Sequence, residues 1–256
     1  MNKTIVIIGA GNMGQAISQG VLDKKVVTQG QLILTNSKTK NNKESVRRAE
    51  VIILAVKPQI AASVLEEIKD AVKDQLVISI MAGITIDTIQ QALGEKIAVV
   101  RVMPNLAAKI GQSMSVWVKN KEVTDAHESV AIAILETIGI QLELREEKQI
   151  NMATAISGSG PAYFFYVTEL IEEGAVELGF SQGEAKILAK QTLLGSAGLL
   201  KTSTYSAEEL RHAITSKGGT TEAALETFRK AKLQGTIVKG ILAAFQRARQ
   251  LGGEKK

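Results

Sequence analysis

The segment TIVIIGAGNMGQAI, Thr4–Ile17, decides how the rest of the chain is read. An apolar, β-branched run leads directly into three glycines, Gly9, Gly11 and Gly14, and these open a stretch of helical character, MGQAISQGVL. The spacing G-x-G-x-x-G means little alone, but between a strand and a helix it marks a loop that holds a dinucleotide. Gly9 permits the tight turn, Gly11 lets backbone approach a diphosphate, and Gly14 lets the helix pack closely on the strand. Asn12 and Met13 complete the loop, at the positive end of the helix where a diphosphate is favoured.

Working outward, further apolar runs predict strands at 31–35, 51–56, 76–80, 97–103, 113–118 and 140–144. Between several of them lie helical patterns such as IAASVLEEIKDAVK. Near-continuous apolar strands alternating with helices predict a parallel sheet covered on both faces. Past residue 148 the strand signal stops, and capping boxes at Ser181/Glu184 and Ser206/Glu209 announce helices. Gly179 and Gly198 mark places where helices stop or approach closely. The charged REEKQ, residues 145–149, is the expected boundary. The expected fold class is therefore α/β, with a Rossmann-type, mostly parallel sheet domain over 1–148. A smaller all-helical domain follows over 149–256, and its long apolar faces are expected to complete their core against another subunit.

Composition narrows the function classes. The 256 residues are 45% hydrophobic, which suits a packed core. No apolar run reaches the roughly 18 residues of a membrane span, and the N-terminal run is too short for a secretory signal. The absence of cysteine excludes disulfides and thiolate chemistry and fits the cytoplasm. The net charge of +5 is spread along the chain without interleaved aromatics, which argues against nucleic acid and for anionic small ligands. His127 and His212 stand alone among polar neighbours and are expected at the surface. They support neither a metal site nor a histidine triad.

Two segments bear on ligand choice. The strand at 31–35 is followed by Asn36, Ser37 and Lys38, with no carboxylate to hold a ribose 2′-hydroxyl, so NADP(H) is expected, with NAD(H) as the alternative. Residues 36–50 read as a polar, mostly basic linker. Near the C-terminus, TSKGGTTEAALETF, Thr215–Phe228, runs from hydroxyls and glycines into a helix. Gly218 and Gly219 can turn backbone N–H groups toward a bound anion, with Thr220 or Thr221 as the cap; a plain helix cap with a flexible lead-in is the competing reading.

Five segments together resemble the pyrroline-5-carboxylate reductase family: IIGAGNMGQAI, VIILAVKPQ (51–59), VRVMPNLAAKIG (100–111), AISGSGPAYFF (155–165) and TSKGGTTEAALETF. They stand in the family's order and span nearly the whole chain. The resemblance implies that Ala55, Val56, Lys57 and Pro58, with Met103, Pro104 and Asn105, line the cofactor's ribose and nicotinamide, and that Ala82 lies on the cofactor side. It implies that Ser216, Gly219 and Thr220 take a substrate carboxylate and that Thr221 offers its hydroxyl to the ring nitrogen. The implied reaction is NADPH-dependent reduction of 1-pyrroline-5-carboxylate to L-proline. The implied assembly is a homodimer or a higher homo-oligomer, with each site borrowing its substrate loop from the neighbour. Lys217 adds a cation near the carboxylate. A non-catalytic dinucleotide-binding relative and a related imine or keto-acid reductase are the alternatives.

Overall fold

The computed structural model describes residues 1–36 and 41–252. Seven strands form one sheet: β1 (Ile5–Ile8), β2 (Leu32–Thr35), β3 (Val51–Leu54), β4 (Leu76–Ser79), β5 (Ala98–Met103), β6 (Ser113–Lys119) and β7 (Gly139–Glu143). Their order is β2-β1-β3-β4-β5-β6-β7. The first five strands are parallel, β6 runs antiparallel to β5, and β7 is parallel to β6. In register, Ile8, Leu54, Ser79 and Arg101 lie side by side, so the loops that follow them emerge along one edge.

Strands β1, β3 and β4 are buried at every position, as strands covered on both faces must be. Alternation divides their side chains between two cores. Ile5 and Ile7 join Ile53, Ile78 and Val100 beneath α1 (Asn12–Asp23) and α5 (Asp125–Leu135). Val6 and Ile8 join Ile52, Leu54 and Val77 beneath α2 (Asn42–Arg47), α3 (Ala61–Ile68) and α4 (Ile86–Leu93). Helix α2 corrects the reading of 36–50 as a bare linker: Val46 is fully buried and plugs this second core. Two apolar residues, Val46 and Ala49, in a basic run are too faint a signal to predict a helix.

The remaining helices are α6 (Lys148–Ala153), α7 (Gly160–Glu177), α8 (Gln182–Thr202), α9 (Ala207–Ala213), α10 (Thr220–Lys230) and α11 (Leu233–Leu251), with a π-helical turn at Thr154–Gly158. Both expected capping boxes are present, with Ser181 and Ser206 each exchanging bonds with the glutamate three residues on. Gly179, at φ +100°, ends α7 as expected. Gly198 does not stop a helix: it lies inside α8, and within this chain a β carbon there would meet nothing within 4 Å.

By compactness the chain forms two units, Met1–Pro161 with Ala243–Lys256, and Ala162–Leu242. The split expected after residue 148 therefore falls inside the first unit. The reason is that α6 packs on β5 and β6, while the end of α11 reaches the turn after β4. The second unit buries only Ala185 and Ala189 among its described residues, and it exposes Phe164, Phe165, Tyr166, Ile187 and Leu194. Helices with this much uncovered apolar surface have no core of their own. No helix among the described residues is long and apolar enough to cross a membrane.

Candidate active site

The glycine loop has the shape its spacing promises. Gly9 sits at φ +115°, and a β carbon there would lie 2.5 Å from the Ala55 carbonyl oxygen. A β carbon on Gly14 would lie 1.9 Å from the Gly9 carbonyl oxygen, so α1 can begin only because residue 14 has no side chain. Gly11 is different: nothing lies within 4 Å of its β position, and its exposed side stays open for a ligand. Gly11 is also the N-cap of α1, with no side-chain cap and no acidic residue in the first turn. The N–H groups of Asn12, Met13 and Gly14 thus point outward without a competing carboxylate, which fits a diphosphate. The chain goes from β1 to one side for β2 and to the other for β3, so this loop lies at the point where the strand order reverses, where open sheets bind ligands.

The next loops follow along the same edge. Ala55 and Val56 continue β3 against the Gly9 turn, and Lys57 and Pro58 are exposed beyond them. Ala82 is exposed in the turn after β4. Met103 ends β5, Pro104 is buried, and Asn105 caps the short 3₁₀ turn Leu106–Ile110. Asn105 is held from every side. Its N–H donates to Ser113 Oγ at 3.0 Å, its Oδ1 accepts from Ala107 N–H at 3.1 Å, and its Nδ2 donates to the Ser157 carbonyl at 3.0 Å. Its side chain therefore shapes the loop. Of the adenosine-side candidates, Asn36 follows β2, while Ser37 and Lys38 lie outside the described residues.

Sequence reasoning missed a charged group behind these loops. Arg101, 3% exposed in the otherwise apolar β5, donates through Nη1 to Glu147 Oε1 at 2.7 Å. The same oxygen accepts from the Ile86 N–H at 2.8 Å. A lone arginine inside VVRVM was the one available sign, because a buried guanidinium needs a partner. In the sequence Glu147 is one charge within REEKQ.

In the helical unit, the glycine-hydroxyl run leads into α10. Gly218 holds φ +74°, the left-handed region that favours glycine, and its N–H donates to Glu222 Oε2 at 2.7 Å. The Gly219 N–H donates to the Ser216 carbonyl at 3.0 Å. The N-cap of α10 is Gly219, with no side-chain cap, so neither Thr220 nor Thr221 is the cap expected; they are the first two helical residues. Their hydroxyls are thereby spared for other work, and their N–H groups head the helix. Ser216 and Thr220 are exposed, and Thr221 is half-buried.

His127 departs from the surface position expected of it. It is half-buried, its Nδ1 has no hydrogen-bond partner, and burial, helped by Lys3, holds its pKa below the ordinary 6.5 while Asp74 opposes. His212 is exposed, 3.6 Å from Glu208. No group of three or more metal-type ligands occurs among the described residues.

Comparison with known proteins agrees with this division of labour. Residues 147–251 match the model for pyrroline-5-carboxylate reductase dimerisation, and residues 4–83 match that for NADP oxidoreductases, coenzyme F420-dependent. The chain is 36% identical to pyrroline-5-carboxylate reductase 2 of Bacillus subtilis, over 97% of this chain and 95% of that one. Among solved structures, it resembles the pyrroline carboxylate reductase of Plasmodium falciparum with NADP bound, at a TM-score of 0.89 and 31% identity, covering 98% of both chains. It also resembles the Coxiella burnetii pyrroline-5-carboxylate reductase, at a TM-score of 0.91 and 32% identity, covering 98% of this chain and 99% of that one.

Proposed function

The chain belongs to the pyrroline-5-carboxylate reductase family, and on that premise we propose that it reduces 1-pyrroline-5-carboxylate to L-proline, the last step of proline synthesis. It is an oxidoreductase acting on a C=N bond, it uses NAD(P)H, and it works on a small molecule as a homo-oligomer. NADPH is the preferred form because no carboxylate follows β2 to repel a 2′-phosphate. The working assembly is a homodimer or a larger oligomer in the cytoplasm, with no part for nucleic acid or membrane. Residues 149–256 serve dimerisation and substrate binding.

One observation carries the reading. Helices α4, α5, α8 and α9 are each capped by their own Ser or Thr hydroxyl. Helices α1 and α10 instead begin behind glycines, Gly11 and Gly219, with no side-chain cap, whereas α2, α3 and α6, which also lack one, begin behind Asn41, Ile60 and Glu147. Two glycine-headed helix ends suit two anions, the diphosphate of the cofactor at α1 and the carboxylate of the substrate at α10, where Glu222 holds the Gly218 N–H.

The bound cofactor supplies a hydride. The chain's own residues supply position. Gly11, Asn12, Met13 and Gly14 hold the diphosphate, with Asn36, Ser37 and Lys38 at the adenosine end. Ala55–Pro58, Ala82 and Met103–Asn105 fix the nicotinamide side. Ser216, Gly219 and Thr220 clamp the substrate carboxylate. Gly218 shapes that loop, its N–H donating to Glu222 as the Gly219 N–H donates to the Ser216 carbonyl. Thr221 sets its hydroxyl oxygen at the ring nitrogen, to accept the N–H of the protonated imine. An imine takes its proton from water before hydride reaches the C=N carbon, so the product amine forms without a strong acid in the protein. This fits a site with no histidine in these loops.

The test is the loss of NADPH absorbance with pyrroline-5-carboxylate, beside an NADH control and Thr221→Ala. Removing a hydrogen bond to a charged ring nitrogen is worth about 1.5–3 kcal/mol, so kcat should fall roughly tenfold to a hundredfold. NADPH binding without substrate-dependent oxidation would instead favour the non-catalytic relative.

A further inference from the structure

We infer that Glu147 is a positioning residue for the nicotinamide side of the cofactor site, acting through the two loops that it ties together. The inference rests on the cofactor reading above. The Oε1 of Glu147 accepts at once from Arg101 Nη1, at 2.7 Å, and from the Ile86 N–H, at 2.8 Å. Arg101 stands two residues before Met103 on β5, and Ile86 opens α4 four residues after Ala82. One carboxylate oxygen thus joins the root of each loop.

The brace closes a ring. Glu147 precedes α6, α6 runs into the π-helical turn Thr154–Gly158, and within that turn the Ser157 carbonyl accepts from Asn105 Nδ2 at 3.0 Å. Asn105 leads back through Pro104 and Met103 to Arg101 on the same strand. The MPN loop is therefore held at both ends by one continuous segment, 147–157. Burial stiffens the arginine end of the hold: Arg101 is 3% exposed and its guanidinium cannot exchange the carboxylate for solvent, while the Glu147 side chain is 30% exposed. Gly158 completes the fit, because a β carbon there would lie 3.2 Å from Met103 Cε. Neither Glu147 nor Arg101 needs to touch the cofactor. Their effect is on where Ala82, Met103 and Pro104 stand.

The experiment is a fluorescence titration of NADPH, with no substrate present, on Glu147→Gln and on the paired variant Arg101→Met with Glu147→Leu. The pair removes both charges, so no lone buried charge threatens the fold. The Kd for NADPH should rise at least fivefold in the paired variant and at least twofold in Glu147→Gln, which keeps an oxygen for Ile86. The KM for pyrroline-5-carboxylate at saturating NADPH should stay within twofold of wild type. A paired variant with wild-type Kd overturns the inference, and so does a substrate KM that rises by the same factor as Kd, the mark of general loosening. Should the paired variant not fold, an unchanged Kd in Glu147→Gln overturns it alone. Wild-type protein that binds NADPH without oxidising it would sink the functional reading and leave this comparison of affinities standing.

Discussion

Gly14 has no room for a β carbon: the Gly9 carbonyl oxygen would be 1.9 Å away. That oxygen belongs to backbone at φ +115°, itself wedged against Ala55, and so cannot retreat as a flexible side chain would. Gly14→Ala should therefore push α1 off β1. The expected cost is about 1–3 kcal/mol, as for overpacking in a dense core, read from the urea midpoint. NADPH affinity should fall with it, because the N–H groups at the helix end would no longer converge. Gly11 is the internal control. Its β position is open, so Gly11→Ala should leave the urea midpoint near wild type while still weakening NADPH binding, since the methyl would project where the ligand lies.

The helices carry a second level of control, at their ends. Helix α5 is capped by Thr124, which accepts from the His127 N–H at 3.2 Å, and Asp125 and Glu128 sit favourably in its first turn. His127 lies in that turn with its Nδ1 buried and unbonded, and its pKa is lowered first by burial and then by Lys3. The sign follows from proton counting. Below 6.5 the unfolded chain binds a proton that the folded chain resists, so stability is complete above 6.5 and is lost as pH falls from there toward the lowered folded pKa. Thermal melts of wild type and His127→Gln at neutral pH and in the mildly acidic window should show a smaller acid-induced drop in Tm for the variant. Equal drops would mean that His127 is not the group responsible.

On the scale of the whole molecule, the two units differ in self-sufficiency. The sheet unit buries two apolar cores between its helices. The helical unit buries only Ala185 and Ala189 among its described residues, while Phe165 on α7 and Leu188 on α8 stay exposed. In a family matched by its dimerisation region, such a surface is covered by a second copy. Phe165→Glu with Leu188→Glu should shift the protein to monomer in sedimentation velocity and abolish turnover. NADPH binding should remain, since the cofactor loops belong to the unit that has its own cores. A dimer that persists with wild-type activity would exclude this face as the interface.

The chain's local grammar was enough to give the fold class. Strand periodicity, the spacing of Gly9, Gly11 and Gly14, and the serine–glutamate boxes at 181 and 206 are all short-range, and each corresponds to a single turn, a strand or a helix end. What escaped was whatever joins distant residues. Val46 had to be set against a sheet before its basic segment could be seen as a helix. His127 was polar in its neighbours and half-buried in space. Glu147 looked like boundary charge until folding brought it to Arg101, 46 residues away in sequence. The cap of α10 is not legible in the sequence because hydroxyls usually win that position, and here Gly219 takes it and leaves Thr220 and Thr221 inside the helix. Sequence alone determined which elements form, because propensity and periodicity act over a few residues. Only the tertiary structure decided which charges meet and which amides stay open, because burial is what makes an unpaired group costly and so fixes its partner.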